Sequence, residues 1–529
     1  GKSTLARHLN ALLLPTDGRI FVGGLDTREL KNHARIRNTV GMVFQFPEDQ
    51  IVSTVVEEDV AFGPANIGLP RAQIHERVES ALNRVGLLEY RNRPPHMLSA
   101  GQMQRLAIAG VLAIHPRCIV FDEATTMLDP VGRKMVMELM RDLNQDGVTI
   151  IFITHHMEEA AQARRMIVME HGCVAMDGTP ESIFAHSADL NSLGLSLPSV
   201  TSLAMGLSRI FPAISKGIYR EEDLFCAFSE PVGQRREKRI KGNEVGPLPI
   251  QIEVSHLEHI YLKGTPLEHK ALYDVSLKIG QGVGYGFMGH TGSGKSTVLQ
   301  HLNAILRPQA GSVRVGSYNL ENPDVDRKSV CRLAGLMFQN PEMQFFETYV
   351  GDEIAFGVRQ FGCETSLAER VRWAMEWVGL EFDLMKDRPT YSLSGGERRK
   401  VALACVLAWK PGILLLDEPT AGLDPRSRQE ILGRLKQLRN EEVTLVLSSH
   451  QMEDMAALVD GAVVFDHGRD VFSGAIGVVY SQEQRLSAVG LEPPLAVRAA
   501  NRLREKGWDI PDWVIQPEDL ICAVEELGE

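Results

Sequence analysis

The sequence predicts an α/β chain built twice over: two domains, each a parallel sheet with crossover helices, each followed by a small helical tail. Three observations predict it. Short apolar runs alternate with longer amphipathic stretches, the pattern of strands joined by helices on a parallel sheet. The tetrapeptide Gly-Lys-Ser-Thr stands at 1–4 and again at 294–297. Beyond it, Ser99 and Ser394, Asp122 and Asp417, and His155 and His450 repeat at a spacing of 295 residues, and Lys2 and Lys295 at 293. One long, barely drifting period marks a duplicated domain rather than a solenoid unit.

In chain order, the first domain is read as 1–180. Its strands are expected at 20–22, 40–44, 119–121, 149–154 and 166–170, with helical patterns at 71–85 and 131–144 between them. A helical tail is read at 181–230. The linker at 231–249 is charged and carries Gly and Pro (Gln234-Arg235-Arg236-Glu237-Lys238-Arg239). That composition suits a flexible tether, with a basic contact patch as the alternative. The second domain spans 250–476 and its tail 477–529. The tails also match: Leu193-Gly194-Leu195 with Pro198 answers Val489-Gly490-Leu491 with Pro494, and Glu222-Asp223-Leu224 answers Glu518-Asp519-Leu520.

Composition bounds the rest. The 529 residues carry 44% hydrophobic and 23% charged residues, an ordinary globular balance. The net charge of −12 argues against a nucleic-acid binder, which needs a basic surface. The seven cysteines are scattered and form no CxxC pair, so they read as buried thiols of a reducing compartment. No apolar run approaches the ~20 residues of a membrane-spanning helix. Runs such as 413–416 and 443–447 read as buried parallel strands.

Gly289-His290-Thr291-Gly292-Ser293-Gly294-Lys295-Ser296-Thr297 fits the phosphate-binding pattern G-x-x-x-x-G-K-[ST], after an apolar strand and before a helix. Glycines let backbone N–H groups face phosphate oxygens, and the helix N-terminus favours an anion. Lys295 is expected on the β- and γ-phosphates and the Ser296 hydroxyl on Mg²⁺. In the first copy Gly1-Lys2-Ser3-Thr4 takes these places. One residue precedes Lys2, whereas some 44 separate Gln251 from Lys295. The first domain is therefore read as truncated at its amino end, and its site as a poor ATP binder.

Asp122-Glu123 and Asp417-Glu418 end apolar strands. There the Asp can hold Mg²⁺ and the Glu can polarise an attacking water. Gln45 and Gln339 follow short apolar strands, where an amide can ligate Mg²⁺ and orient water. His155 and His450 end further strands, within reach of a γ-phosphate. Ser99-Ala100-Gly101 and Ser394-Gly395-Gly396 open helices, a serine N-cap followed by small residues that leave N–H groups for an anion.

In this order the set resembles the ATP-binding cassette family, over roughly 400 of the 529 residues. The resemblance implies a RecA-like core with a helical subdomain in each domain. Leu393-Ser394-Gly395-Gly396-Glu397 would be the signature sequence. Asp424, and Asp129 in the first copy, would belong to the D-loop, and Tyr261 would stack on the nucleotide. It further implies two cassettes closed head to tail. One ATP would then lie between Lys2, Asp122, Glu123 and Ser394-Gly395-Gly396, and the other between Lys295, Asp417, Glu418 and Ser99-Ala100-Gly101. Ala100, the segment Ala124-Thr125-Thr126-Met127 and His156 depart from the family pattern, and Ala100 adds a methyl where backbone approaches phosphate. Both base positions keep Glu, so two hydrolytic sites are expected.

Within the family the chain is more similar to the ATPase pair of energy-coupling factor transporters, importers of vitamins and metal ions. The likeness rests on Phe44-Gln45-Phe46-Pro47-Glu48-Asp49-Gln50, on 56–64, on Gln339-Asn340-Pro341-Glu342 and on 351–357. It implies fused paralogues on the cytoplasmic face of the membrane. Their partners would be a transmembrane coupling subunit and a small substrate-binding membrane subunit, docked at Ile51, Val52, Phe345 and Phe346. Two other readings share the layout: a soluble tandem cassette acting on ribosomes or nucleic acid, and a tandem sugar-importer ATPase.

Overall fold

The computed structural model describes residues 1–126, 128, 130–215, 217–230, 249–265, 267–362, 365–421, 423, 425–440 and 442–528. The expected tether at 231–249 falls almost wholly outside them, as do Met127, Asp129 and Asp424. The chain divides into two compact units, 1–198 and 199–529.

In the first unit Val40–Val43, Cys118–Asp122 and Thr149–Ile153 form a three-stranded parallel sheet, with Phe121 in register between Val43 and Phe152. The helix Lys2–Leu9 packs beside it, with Ala6 buried near Val40 and Val120. The helices Val56–Asn66, Arg71–Arg84 and Ala100–Leu112 bury Val60, Leu82, Leu106 and Ile108 in one core with Val43 and Phe121. The strand expected at 166–170 forms, but it pairs antiparallel with Cys173–Gly178 as a separate hairpin instead of joining the parallel sheet. The second unit shows the reason. There the matching strand Gly461–Asp466 reaches the sheet through Gly284–Met288, and the first unit has no counterpart of that strand among the described residues.

The second unit has a six-stranded sheet in the order Ala334–Met337, Ile413–Asp417, Thr444–Ser448, Gly284–Met288, Gly461–Asp466, Arg469–Ala475; all but the last run parallel. Its central strands are apolar and buried on both faces, as a parallel sheet with helices on each side requires. An antiparallel sheet of Tyr318–Asn319, Ala310–Val315, Ile250–Tyr261 and His269–Gly280 shares a core with the helix Lys295–Leu302 through Leu272, Val298 and Leu302. The helices Val350–Phe361, Leu367–Trp377 and Gly395–Leu407 cluster with Leu414 and Leu416 of the sheet.

The tail helices share one core. Ser199–Leu207 and Glu221–Ala227 bury Leu203, Leu207 and Leu224 against Leu503 and Leu520 of Leu495–Glu505 and Pro517–Gly528. Gly206 makes room for the Ile521 side chain of the facing helix: a Cβ there would lie 2.2 Å from Ile521 Cδ1. Arg498 closes a bidentate pair with Glu221 at 2.8 and 2.9 Å, and Trp508 Nε1 donates to the Ser229 carbonyl at 2.7 Å. Among the described residues no helix is long and apolar enough to cross a membrane.

Candidate phosphate-binding cleft and its carboxylates

In the second unit the strand Gly284–Met288 runs into a loop that turns sharply at Gly289. A Cβ there would lie 2.4 Å from the Phe465 carbonyl, so only glycine fits. Gly294, at φ 104°, caps the helix Lys295–Leu302. Lys295 is buried, and its amine donates to the carbonyls of Gly289 (2.7 Å) and His290 (2.8 Å) and to Ser293 Oγ (3.4 Å). The cation is thus stored against the inside of its own loop. Thr291, Gly292 and Gly294 line the cleft beside it. Tyr261 borders the same cleft, its hydroxyl 3.2 Å from Thr297 Oγ1.

Asp417 ends its strand in the same cleft and is buried. Burial pushes its carboxyl above the usual range, while hydrogen bonds from Ser296 and Ser448 oppose the rise. Glu418 follows in left-handed backbone (φ 52°), a strained conformation that concentrates at functional sites. Its N–H is held by the Ser448 carbonyl at 3.1 Å, and its Oε1 lies 3.0 Å from His450 Nδ1. Gln339 lines the cleft from a third segment. Ser296, Gln339 and Asp417 together offer only oxygen donors, the set that suits a hard divalent cation.

The first unit repeats the constellation. Ser3 Oγ donates to Asp122 Oδ1 at 2.9 Å, and burial again pushes that Asp up. Glu123 has φ 51° and lies 3.5 Å from His155 Nδ1, 3.4 Å from Gln45 Nε2 and 3.9 Å from Lys2 Nζ. The His155 contact holds its carboxyl below the usual range. The chain from Gly1 through Thr4 forms the start of the helix carrying Lys2 and Ser3.

Ser394, Gly395 and Gly396 are not among the residues that line the second unit's cleft. Ser99 and Ser394 each close a capping box, with Oγ accepting the N–H of Gln102 or Glu397 at 3.3 Å. The hydroxyl is thereby committed to the helix start. Ala100 with Gly101, and Gly395 with Gly396, form the first turns of the two helices. Asp129 and Asp424 lie outside the described residues.

Sequence reasoning passed over three groups. Ser448 buttresses both Asp417 and Glu418 from a neighbouring strand. Arg399, on the helix Gly395–Leu407, donates to the backbone carbonyls of Glu418 and Gln339, the latter at 3.0 Å. Asp59 and Glu353 each accept two N–H groups of the loop after the glutamine: Val52 and Ser53 at 2.7 and 3.0 Å, Phe346 and Glu347 at 2.8 and 2.6 Å. The buried acid within Val56-Glu57-Glu58-Asp59 and Val350-Gly351-Asp352-Glu353 was the signal for the last of these.

Comparison with known proteins agrees with this geometry. A family model described as ABC transporter matches residues 1–126 and 272–421. A protein of Caldanaerobacter subterraneus subsp. tengcongensis, provisionally named an ABC transporter ATP-binding protein, is 35% identical over 95% of this chain and 89% of its own length. From the same organism, the energy-coupling factor transporter ATP-binding protein EcfA1 is 54% identical over 40% of this chain and 76% of its own. The solved structure of cbiO1 from Clostridium perfringens, part of the ABC transporter complex cbiONQ, is 29% identical with a TM-score of 0.39, covering 46% of this chain and 95% of that one. A phosphate loop whose Gly-Lys-Ser-Thr recurs in both units, paired Asp-Glu strand ends and near full-length likeness lead to one conclusion: the chain belongs to the ATP-binding cassette (ABC transporter) family, as a tandem ATP-binding and ATP-hydrolysing subunit.

Proposed function

We propose that this tandem ATPase energises import of a vitamin or metal ion through a transporter of the energy-coupling factor type. It would work at the cytoplasmic face of the membrane, with a transmembrane coupling subunit and a small substrate-binding membrane subunit. The observation that carries the reading is a contrast in similarity. Single-cassette EcfA1 proteins reach 49–54% identity with part of the chain, against 34–36% for relatives matched over most of it. A second feature supports it. After each glutamine an apolar side chain faces solvent, Val52 in one unit and Phe346 (77% exposed) in the other, on backbone pinned by Asp59 or Glu353. Ile51 and Phe345 instead pack inward on their cores. Rigid, solvent-facing apolar groups suit a docked membrane subunit.

The catalytic roles follow from position. ATP supplies the scissile phosphoanhydride and Mg²⁺ the countercharge when bound. Lys295, Ser296, Thr297 and the loop from Gly289 to Gly294 would hold phosphates, and Tyr261 the base. Asp417, Ser296 and Gln339 would hold the cation. Glu418 accepts a proton from the attacking water, with His450 fixing its carboxylate. Lys2, Ser3, Thr4, Gln45, Asp122, Glu123 and His155 would play the same parts in the first domain. The domains, read as 1–180 and 250–476 with tails 181–230 and 477–529, would pair head to tail so that Ser99–Gly101 and Ser394–Gly396 complete the two sites.

Reconstitution of the chain with its membrane subunits in vesicles tests this. ATP-driven uptake of a vitamin or transition-metal ion is expected, and Glu418→Gln abolishes it. Uptake indifferent to that substitution, or ATP-dependent ribosome binding in place of uptake, refutes the proposal.

A further inference from the structure

At the phosphate loop stands a group of side chains to which the ATPase reading gives no catalytic role. His290, Asp466 and His467 place one nitrogen or oxygen each within 4.8 Å of one another. His290 lies inside the loop itself; Asp466 and His467 lie at the turn between Gly461–Asp466 and Arg469–Ala475. His290 Nε2 is 2.9 Å from Asp466 Oδ1, and His467 Nε2 is 3.7 Å from the same oxygen.

The hydrogen-bond inventory of His290 singles this group out. Its Nδ1 lies 2.8 Å from the Thr291 carbonyl, and its Nε2 faces a carboxylate. Both neighbours are acceptors, and a neutral imidazole has only one N–H. With Nδ1–H given to the carbonyl, Nε2 turns its lone pair toward Asp466, an arrangement that a metal ion held between them satisfies. A ring that donates Nδ1–H to a backbone carbonyl and turns Nε2 outward is how histidine is oriented as a metal ligand.

The backbone under the three side chains is already fixed. The Gly468 N–H donates to the Ser293 carbonyl at 3.1 Å, and the Gly468 carbonyl accepts from Tyr273 N–H at 2.8 Å. Gly468 sits at φ 77° where a Cβ would be 2.4 Å from the Ala271 carbonyl, so the turn is wedged between the phosphate loop and the strand His269–Gly280. Metal–nitrogen bonds of about 2.0–2.1 Å require ligand atoms about 3.3 Å apart in a tetrahedral shell, and the two contacts to Asp466 Oδ1, at 2.9 and 3.7 Å, bracket that value.

We propose that His290, Asp466 and His467 bind a divalent transition-metal ion of the Zn²⁺, Co²⁺ or Ni²⁺ class, with water completing the shell. Two imidazoles and one carboxylate select these ions over Mg²⁺. Three ligands from two locked segments staple the phosphate loop to the turn, so the ATP cleft acquires a metal-dependent stiffness.

The test uses the full chain without an affinity tag, stripped by chelator and titrated with Co²⁺ in the absence of nucleotide. Visible d–d absorption and the melting temperature are followed. One strong site is expected, displaced by Zn²⁺ and untouched by excess Mg²⁺, with a rise in melting temperature. His467 is exposed and outside the ATP cleft, so His467→Ala should keep basal ATP turnover while weakening Co²⁺ at least about tenfold. Asp466→Asn should do the same to Co²⁺. Absence of the band, or equal affinity in wild type and both variants (an adventitious ion only), overturns the proposal.

Discussion

Thr149–Ile153 and Thr444–Ser448 are one strand in two copies, and they live in different surroundings. The second is buried along its whole length; in the first, Ile151 is 38% exposed. The difference comes from Gly284–Met288, which flanks the second copy and has no counterpart among the described residues of the first. The helix that follows the phosphate loop shows the same contrast. Val298 is fully buried under the antiparallel sheet, while Leu5, at its matching position, is 42% exposed. Lys295 is buried, whereas the Lys2 side chain is 40% exposed. Among the described residues, identical motif side chains thus meet different amounts of neighbouring chain, and desolvation sets the strength of the charge–charge contacts they make.

Three measurements sharpen or break that contrast. The largest effect is on turnover. Glu418→Gln should lower ATP hydrolysis by about 10²–10⁴, Lys295→Ala should lower it through lost phosphate binding, and Lys2→Ala or Glu123→Gln should each lower it by less. Equal losses from both domains would mean that burial of the cleft does not govern rate.

The second is on stability. Val298→Ala should cost about 2 kcal/mol through lost apolar burial. Leu5→Ala at the half-open position should stay within about 0.5 kcal/mol. Urea melts of the two variants compare them directly.

The third is on pH. His8 and His301 both reach back to the carbonyl four residues earlier, at 2.6 and 2.7 Å. Only His301 is fully buried, and burial lowers its pKa to about 4. A depressed value means the folded state prefers the neutral ring. Its stabilising contribution is complete above the unfolded value of about 6.5 and is lost as pH falls toward 4, at up to about 1.4 kcal/mol per pH unit. His301→Gln should flatten the acid limb of the melting profile of the second unit. An unchanged limb would place the acid sensitivity elsewhere.

What could be read from the chain alone followed from contiguity. The phosphate loop, the Asp-Glu strand ends and the serine caps are short strings whose chemistry is local, so spacing places them at strand ends and helix starts. Groups that act across the fold left no such string. Ser448 serves Asp417 from 31 residues away, and Arg399 reaches Glu418 and Gln339 from the helix Gly395–Leu407. The expectation of a parallel sheet at 166–170 failed for a related reason. A strand's partners are set by which neighbours exist, not by its own apolar pattern. The shared tail core was equally hidden, since each short amphipathic helix shows only that one face needs cover.

That shared core has a topological consequence. Leu203 and Leu224 interleave with Leu503 and Leu520, so everything from 230 to 494 departs from and returns to the same small bundle. The second ATPase is, in effect, a guest inserted into a helical host whose halves were written at opposite ends of it. A single peptide-bond cut in an exposed loop of the described guest would leave both fragments clasped, because residues 199–228 are packed into the bundle itself.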